Sequence, residues 1–468
     1  MSAKLPARRA AGALALACAL LSSYAPAQQP PSAPIAPTAS APPSAAAAAP
    51  APAGASQIID LPTVLRLAGL NDLDLALVRE AEKQARAAND AATLRFFPWL
   101  SAGASYAKQT GAAQEVGGQM LSVDQQLYQR GVAANLQVEL GSAIFEKLAA
   151  RQRQQAAGFD VEASRNDTAL AAAGAYFDLV NAVAATDIAH EAVRISQDYE
   201  GQLERAYQAG LTNRSEFLRV GVQTQRNRVV LREAEAALRS AAAALATLLR
   251  LDPAGELQPI ERIVSPPTLI EVDTPVGTLV KDALAFRPEL KSSAASVAAA
   301  DKQRVAATYG PLVPSLSGQA ALGQLRGGPN GMLSDYMTAH DYVVALNWRF
   351  GPGGLFDFSR TAAANSALQS ARLSAEKLHD LIAEEVVQSY EAARAGLDQM
   401  GLARRAVELA DQSLKLSEQR REFGVYAVLE VIQAQQDLTQ ARGDYARALT
   451  QYAKAQYALA HATARIGG

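Results

Sequence analysis

The sequence has 468 residues, 49% hydrophobic and 19% charged, with a formal net charge of -2. Near-neutral charge gives no long-range attraction for polyanions, and no basic stripe carries interleaved aromatics, so nucleic acid is excluded as a partner. Abundant alanine with only 6% aromatic residues instead suits long helices that approach closely through small side chains.

Residues 1–27 read as a secretory signal peptide. Lys4, Arg8 and Arg9 precede an apolar run from Ala10 to Leu21, and Ala25-Pro26-Ala27 supplies a small-x-small cleavage site. A run of about 12 residues is too short to cross a bilayer core, which needs about 20. Cys18, the one cysteine, lies inside this run, so cleavage after Ala27 leaves a chain without thiol chemistry. Residues 28–56, nearly all Ala, Pro, Ser and Gln, read as a disordered tether that has too little apolar surface to offset its ordering entropy. Beyond the leader, no segment is expected to be a hydrophobic transmembrane helix. An exported chain of this kind is periplasmic, secreted, or inserted in the outer membrane as a β-barrel.

The remaining chain is a tandem repeat with an offset of about 214 to 216 residues. Phe97-Pro98-Trp99-Leu100-Ser101 corresponds to Val313-Pro314-Ser315-Leu316-Ser317, Ala175-Tyr176 to Ser389-Tyr390, and Ala209-Gly210-Leu211 to Phe423-Gly424-Val425. The first repeat is expected over 57–255, a linker over 256–275 and the second repeat over 276–468. Each opens on a helical segment, 57–95 or 276–308, followed by a β-hairpin over about 98–140 or 312–350. A helix of some 64 residues then runs over 146–209 or 359–423, a rod of about 95 Å. It reverses at Gly210 or Gly424, where positive φ is cheap, and a return helix runs to about 250 or 466.

The strands alternate with period two. Leu100, Ala102, Ala104 and Tyr106 oppose Ser101, Gly103 and Ser105, while Tyr342, Val344, Leu346, Trp348 and Phe350 oppose Val343, Ala345, Asn347 and Arg349. Stretches of about ten residues with one apolar and one polar face fit strands between lipid and a wet lumen. Tyr106, Tyr342, Trp348 and Phe350 are the expected membrane-interface aromatics. Four strands cannot close a barrel, and an open edge in lipid leaves backbone groups unsatisfied, so closure demands oligomerisation. Three copies would supply twelve strands, with segments 110–128 and 325–340 as outer loops. The fold class expected is therefore an α+β membrane protein with a tandem-repeat protomer. It has four transmembrane strands and long antiparallel helical hairpins that form a periplasmic α-barrel. A periplasmic coiled-coil structural or adaptor protein is the alternative, although it would not need four strands of membrane length.

These features resemble the TolC-like outer-membrane efflux protein family. The resemblance rests on Ala283-Leu284-Ala285-Phe286-Arg287-Pro288-Glu289-Leu290 and on two tip segments, Tyr207 to Leu218 and Glu422 to Val431. It implies a homotrimeric channel-tunnel in the outer-membrane lipid that serves tripartite efflux or type I secretion. Such a duct would dock a periplasmic adaptor (membrane fusion) protein and, through it, an inner-membrane RND, ABC or MFS pump. It implies adaptor docking at Ala209, Gly210, Leu211, Ser215, Gly424, Val425 and Leu429, and a periplasmic constriction at Glu216 and Glu430, each six residues after its glycine. The chain departs from the family at Asn71-Asp72, where an Asn-Pro pair is common, and at Tyr426 and Gln433 in the second tip. No enzymatic activity, cofactor or metal is expected. His190, His340, His379 and His461 are scattered and read as surface residues, and Gly351-Pro352-Gly353-Gly354 lacks the ending of a phosphate loop.

Overall fold

The computed structural model describes residues 57–466 except 115–117, 211, 266, 330–331 and 423–427. The expected signal peptide, Cys18 and the tether lie outside the described residues, as do Leu211, Gly424 and Val425. The elements in chain order are β1 (Gln57–Ile59), α1 (Leu61–Asn71), α2 (Leu73–Leu94), β2 (Trp99–Gln114), β3 (Met120–Glu139), α3 (Leu140–Gln208) and α4 (Arg214–Leu249). They continue with β4 (Leu257–Pro259), α5 (Val276–Phe286), α6 (Pro288–Tyr309), β5 (Ser315–Pro329), β6 (Met337–Asn347), α7 (Phe358–Glu422) and α8 (Val428–Ala462).

The helical segments that open the two repeats are each broken, contrary to the continuous helices expected. Asp72 adopts an extended conformation (ψ 132°), its backbone N–H closes α1 on Ala68, and its carboxylate caps α2 by accepting from Leu75 N at 2.8 Å. A side chain that satisfies the orphan donors of the next helix makes the break cheap. In the second repeat Pro288 forces Arg287 out of the helical region (ψ 129°) and starts α6 at a position where its missing N–H costs nothing. Residues 57–59 are not helical either. They pair in parallel with β4, Gln57 opposite Leu257 and Ile59 opposite Pro259, so the linker also carries structure.

The long helices have 69 and 65 residues, about 104 and 98 Å of rod. One 18-residue stretch of α3 is, by length and composition, apolar enough to cross a membrane, with mean hydropathy 1.3, contrary to expectation. Half of that stretch is buried, however, as the alanines of a helix that packs against α2, α4, α6 and α8. The largest core cluster joins Val64 and Ala68 of α1, Tyr176, Phe177 and Val180 of α3, Leu245 and Leu249 of α4, and Leu449 and Ala453 of α8. A second gathers Leu279 of α5, Ile382, Val386 and Tyr390 of α7, and Leu459 of α8. Tyr176 and its repeat equivalent Tyr390 thus centre the two cores.

The large sheet is antiparallel throughout, in the order β2-β3-β5-β6. Each repeat contributes a hairpin, and β3 against β5 joins them from Glu139↔Ser315 to Gln125↔Pro329. The strands have 16, 20, 15 and 11 residues, mostly longer than expected. Much of 110–128 is therefore strand rather than loop, since Thr110 pairs with Asp124 and Gln114 with Met120. Residues 325–329 and 337–340 are likewise paired. β6 ends before Trp348, whose indole donates to Leu312 O at 3.3 Å, so Trp348 and Phe350 belong to the turn between sheet and helix. There Gly141 meets Gly310: a Cβ on Gly141 would lie 2.2 Å from Gly310 O, so the start of α3 requires glycine.

Candidate functional site

Because opposite partners in a ladder point to the same side, the register assigns a face to every strand residue. One face carries Leu100, Ala134, Ala320 and Tyr342 in one row, Val132 and Leu322 in the next, and Leu136, Val344, Val138, Leu316 and Leu346 toward the helices. The other carries Ser101, Asn135, Gln137, Glu139, Ser315, Ser317, Gln319 and Asn347. Asn135 donates to Ser101 Oγ at 3.1 Å and Asn347 to Ser317 Oγ at 3.3 Å, so this polar face is knitted across strands. The backbones of β2 and β6 are paired on one side each, which leaves the sheet open at both edges.

Of the expected interface aromatics, Tyr106 packs against Tyr128, ring centroids 4.8 Å apart, beyond the apolar rows. Trp348 and Phe350 are exposed at the opposite end, beside the helices, and Phe350 stacks near Phe356 at 6.4 Å. Tyr342 lies within the apolar rows rather than at their rim. Tyr128 is an aromatic that the sequence reading missed; its alternation with Gln126 and Arg130 hid it.

At the first tip α3 ends at Gln208 with Ala209 as its C-cap, and Gly210 takes φ +71°. Tyr207 and Phe217 stack across the turn with centroids 6.2 Å apart, and Thr212 Oγ1 donates to Glu216 Oε2 at 2.5 Å. Ser215 is exposed. At the second tip Leu429 is exposed, and Glu430 pairs with Arg420 Nη1 at 3.0 Å. Each carboxylate is therefore held inside its own hairpin, and the Arg420 partner was not anticipated. Beneath the tips Tyr199, Leu203, Val220, Val431 and Ile432 form one buried cluster, and Gln436 of the second hairpin donates to Gln223 of the first at 2.6 Å. The two hairpins are thus locked together just behind their ends.

His461 is not a surface residue. Its side chain is 6% exposed, its Nε2 meets Asp167 Oδ1 at 2.8 Å, and its Nδ1 lies 3.3 Å from Glu385 Oε1. Arg287, equally buried, joins Glu385 and pairs with Glu289 at 2.9 Å. Burial, the largest single influence on His461, opposes the imidazolium, as does Arg287; the Glu385 and Asp167 carboxylates outweigh them and raise its pKa. Burial would raise Glu289 and Glu385, but Arg287 and His461 hold both below the usual carboxylate value. Asp167, Glu289 and His461 bring ligand-type atoms within 4.8 Å of one another. With a guanidinium already bound to Glu289 and Glu385, the arrangement is that of an ion-pair knot joining α3, α6, α7 and α8.

The model of the outer membrane efflux protein family matches residues 279–465. The second repeat is an outer membrane efflux protein domain. This efflux-protein repeat brings with it a first repeat of the same design, which structural likeness reaches where the family model does not. A membrane protein from Pseudomonas aeruginosa superposes with a TM-score of 0.75 at 19% identity, over 86% of this chain and 93% of that one. The Campylobacter jejuni CmeC outer membrane channel gives 0.74 at 18%, over 86% and 85%. The Neisseria gonorrhoeae MtrE outer membrane channel, in its open state, gives 0.69 at 17%, over 86% and 88%. No curated protein matches the chain by sequence. Both repeats therefore share the α+β fold of the outer-membrane channels, and the efflux-protein family is one of channels rather than enzymes.

Proposed function

We propose that the chain is the outer-membrane channel-tunnel component of an efflux or type I secretion system. Three copies close their sheets into a twelve-stranded barrel, and their helical hairpins continue the tube into the periplasm. The supporting observation is the sheet itself. It has one apolar and one polar face and two unpaired edges, and helices of about 100 Å leave from one end. An open edge is untenable in lipid, and pairing β2 of one copy with β6 of the next satisfies it without further parts. Passage is passive, driven by an inner-membrane RND, ABC or MFS pump through a periplasmic adaptor.

Ala209, Gly210, Leu211, Ser215, Gly424, Val425 and Leu429 form the adaptor-docking ends in this reading. Glu216 and Glu430 line the constriction. Carboxylates repeated around a threefold axis favour cations and repel one another. The pairing of Glu430 with Arg420 makes Glu216 the stronger source of that selectivity. Single-channel conductance in planar bilayers tests the whole reading. Wild type should insert with a small, cation-selective conductance, and the Glu216→Ala/Glu430→Ala variant should be wider or less selective. A folded preparation that never inserts sinks the channel; identical currents from both proteins sink only the constriction.

A further inference from the structure

We propose that Arg130, Arg326 and Tyr336 form a docking site for the phosphorylated headgroup of an outer-leaflet lipid, a site that rests on the channel reading above. Arg130 lies opposite Gln324, and Arg326 opposite Tyr128 in the next row, so both arginines share the face of Val132, Leu322 and Leu346. That is the apolar face, the side turned to lipid in the channel. Nine residue-to-residue steps along β3 lead from Arg130 to Glu139, where the helices begin. At about 3.3 Å per residue and a tilt of about 40°, this is some 23 Å along the membrane normal, close to the ~25 Å height of a barrel's apolar band. The arginines therefore stand at the far rim, level with the headgroups, beside the Tyr106–Tyr128 pair.

Among the described residues no counter-ion meets them there. The guanidinium carbon of Arg130 lies 4.3 Å from the Tyr336 ring centroid and that of Arg326 lies 5.6 Å from it, so two like charges converge on one ring. Arg130 Nε and Nη2 are spent on a neutral acceptor, Gln324 Oε1, at 3.1 and 2.7 Å. Arg326 Nε is buried without a hydrogen-bond partner among the described residues. The nearby Asp124, in the row of Thr110, faces Lys108 at 3.6 Å. Among the described residues neither arginine makes a salt bridge. Two guanidinium groups held together by a ring and an amide, with no carboxylate paired to either among the described residues, match a phosphate monoester, whose oxygens accept guanidinium N–H donors. β3 and β5 are the central strands, so closing the barrel through β2 and β6 leaves the site within one protomer.

Purified full-length protein should bind bisphosphorylated lipid A, presented in detergent micelles, about tenfold or more tighter than its dephosphorylated form, the scale expected of two basic residues near an anionic headgroup. Arg130→Gln/Arg326→Gln should bring that ratio close to one while still forming conducting channels. Arg130→Lys/Arg326→Lys should keep most of it. A glutamine variant that retains the wild-type ratio overturns the site. Millimolar inorganic phosphate that displaces the lipid completely shows a soluble-anion site and overturns the lipid assignment. Wild type and variants that bind lipid A alike and never conduct refute the channel reading instead, and the lipid site with it.

Discussion

His461 shows how a single side chain acquires its meaning from partners on other helices. Its raised pKa means that its ion pairs contribute stability below the ordinary value of 6.5, and this contribution is lost as pH rises through the folded value. Glu289 and Glu385, with lowered pKa values, contribute above 4.5, and their share is lost as pH falls through theirs. Stability from this knot is therefore greatest between about 4.5 and 6.5. Thermal melting of the wild type should fall as pH rises above 6.5, and His461→Gln should flatten that slope; an unchanged slope would show that the imidazole stays neutral. Arg287→Leu should be costlier, about 2 to 4 kcal/mol, because it strips partly buried Glu289 of its ion pair and leaves Glu385 with His461 alone. At the junction of sheet and helix, Gly141→Ala places a methyl group on Gly310 O and should cost about 1 to 3 kcal/mol in denaturant unfolding. An unaltered midpoint would mean that the junction yields freely.

The elements owe their limits to a few local devices. Asp72 and Arg287, equivalent across the repeat, break the same helix by different means, a carboxylate cap in one and a following proline in the other. Asp72→Ala should cost about 1 kcal/mol through the lost cap, read as a shift in the denaturation midpoint. Arg420 and Glu430 pair across the second tip with side chains 67% and 44% exposed, and such surface pairs contribute little. Arg420→Ala should therefore leave stability within about 0.5 kcal/mol of wild type while it increases cation selectivity by freeing Glu430. Reduced selectivity in that variant would remove Glu430 from the constriction.

At the scale of the molecule, the two open edges of the β2-β3-β5-β6 sheet are what the proposed trimer would pair. Outer membranes should yield a trimer that survives mild detergent and dissociates on heating. Cysteine pairs placed on β2 and β6 should cross-link copies into that trimer, since Cys18 is the one native cysteine and lies in the expected leader. Cross-links confined to dimers would contradict a closed barrel.

The amino-acid sequence by itself determined the repeat, the strand faces and the rod-like helices. Each rests on a period or offset written locally, as in Leu100 to Tyr106 or the Gly210 reversal. It also held the Arg287-Pro288 break in plain view, because proline acts on its immediate neighbour. Only the tertiary structure decided the rest. Register extended the first hairpin into 110–128, since ladder pairing depends on the partner strand rather than on composition. Packing buried His461 against Asp167 and Glu385, 294 and 76 residues away in sequence, where spacing rules for ligands and ion pairs carry no signal. The same long-range pairing set Arg130 beside Arg326, because charge separated along the chain is brought together when strands from two repeats share one sheet.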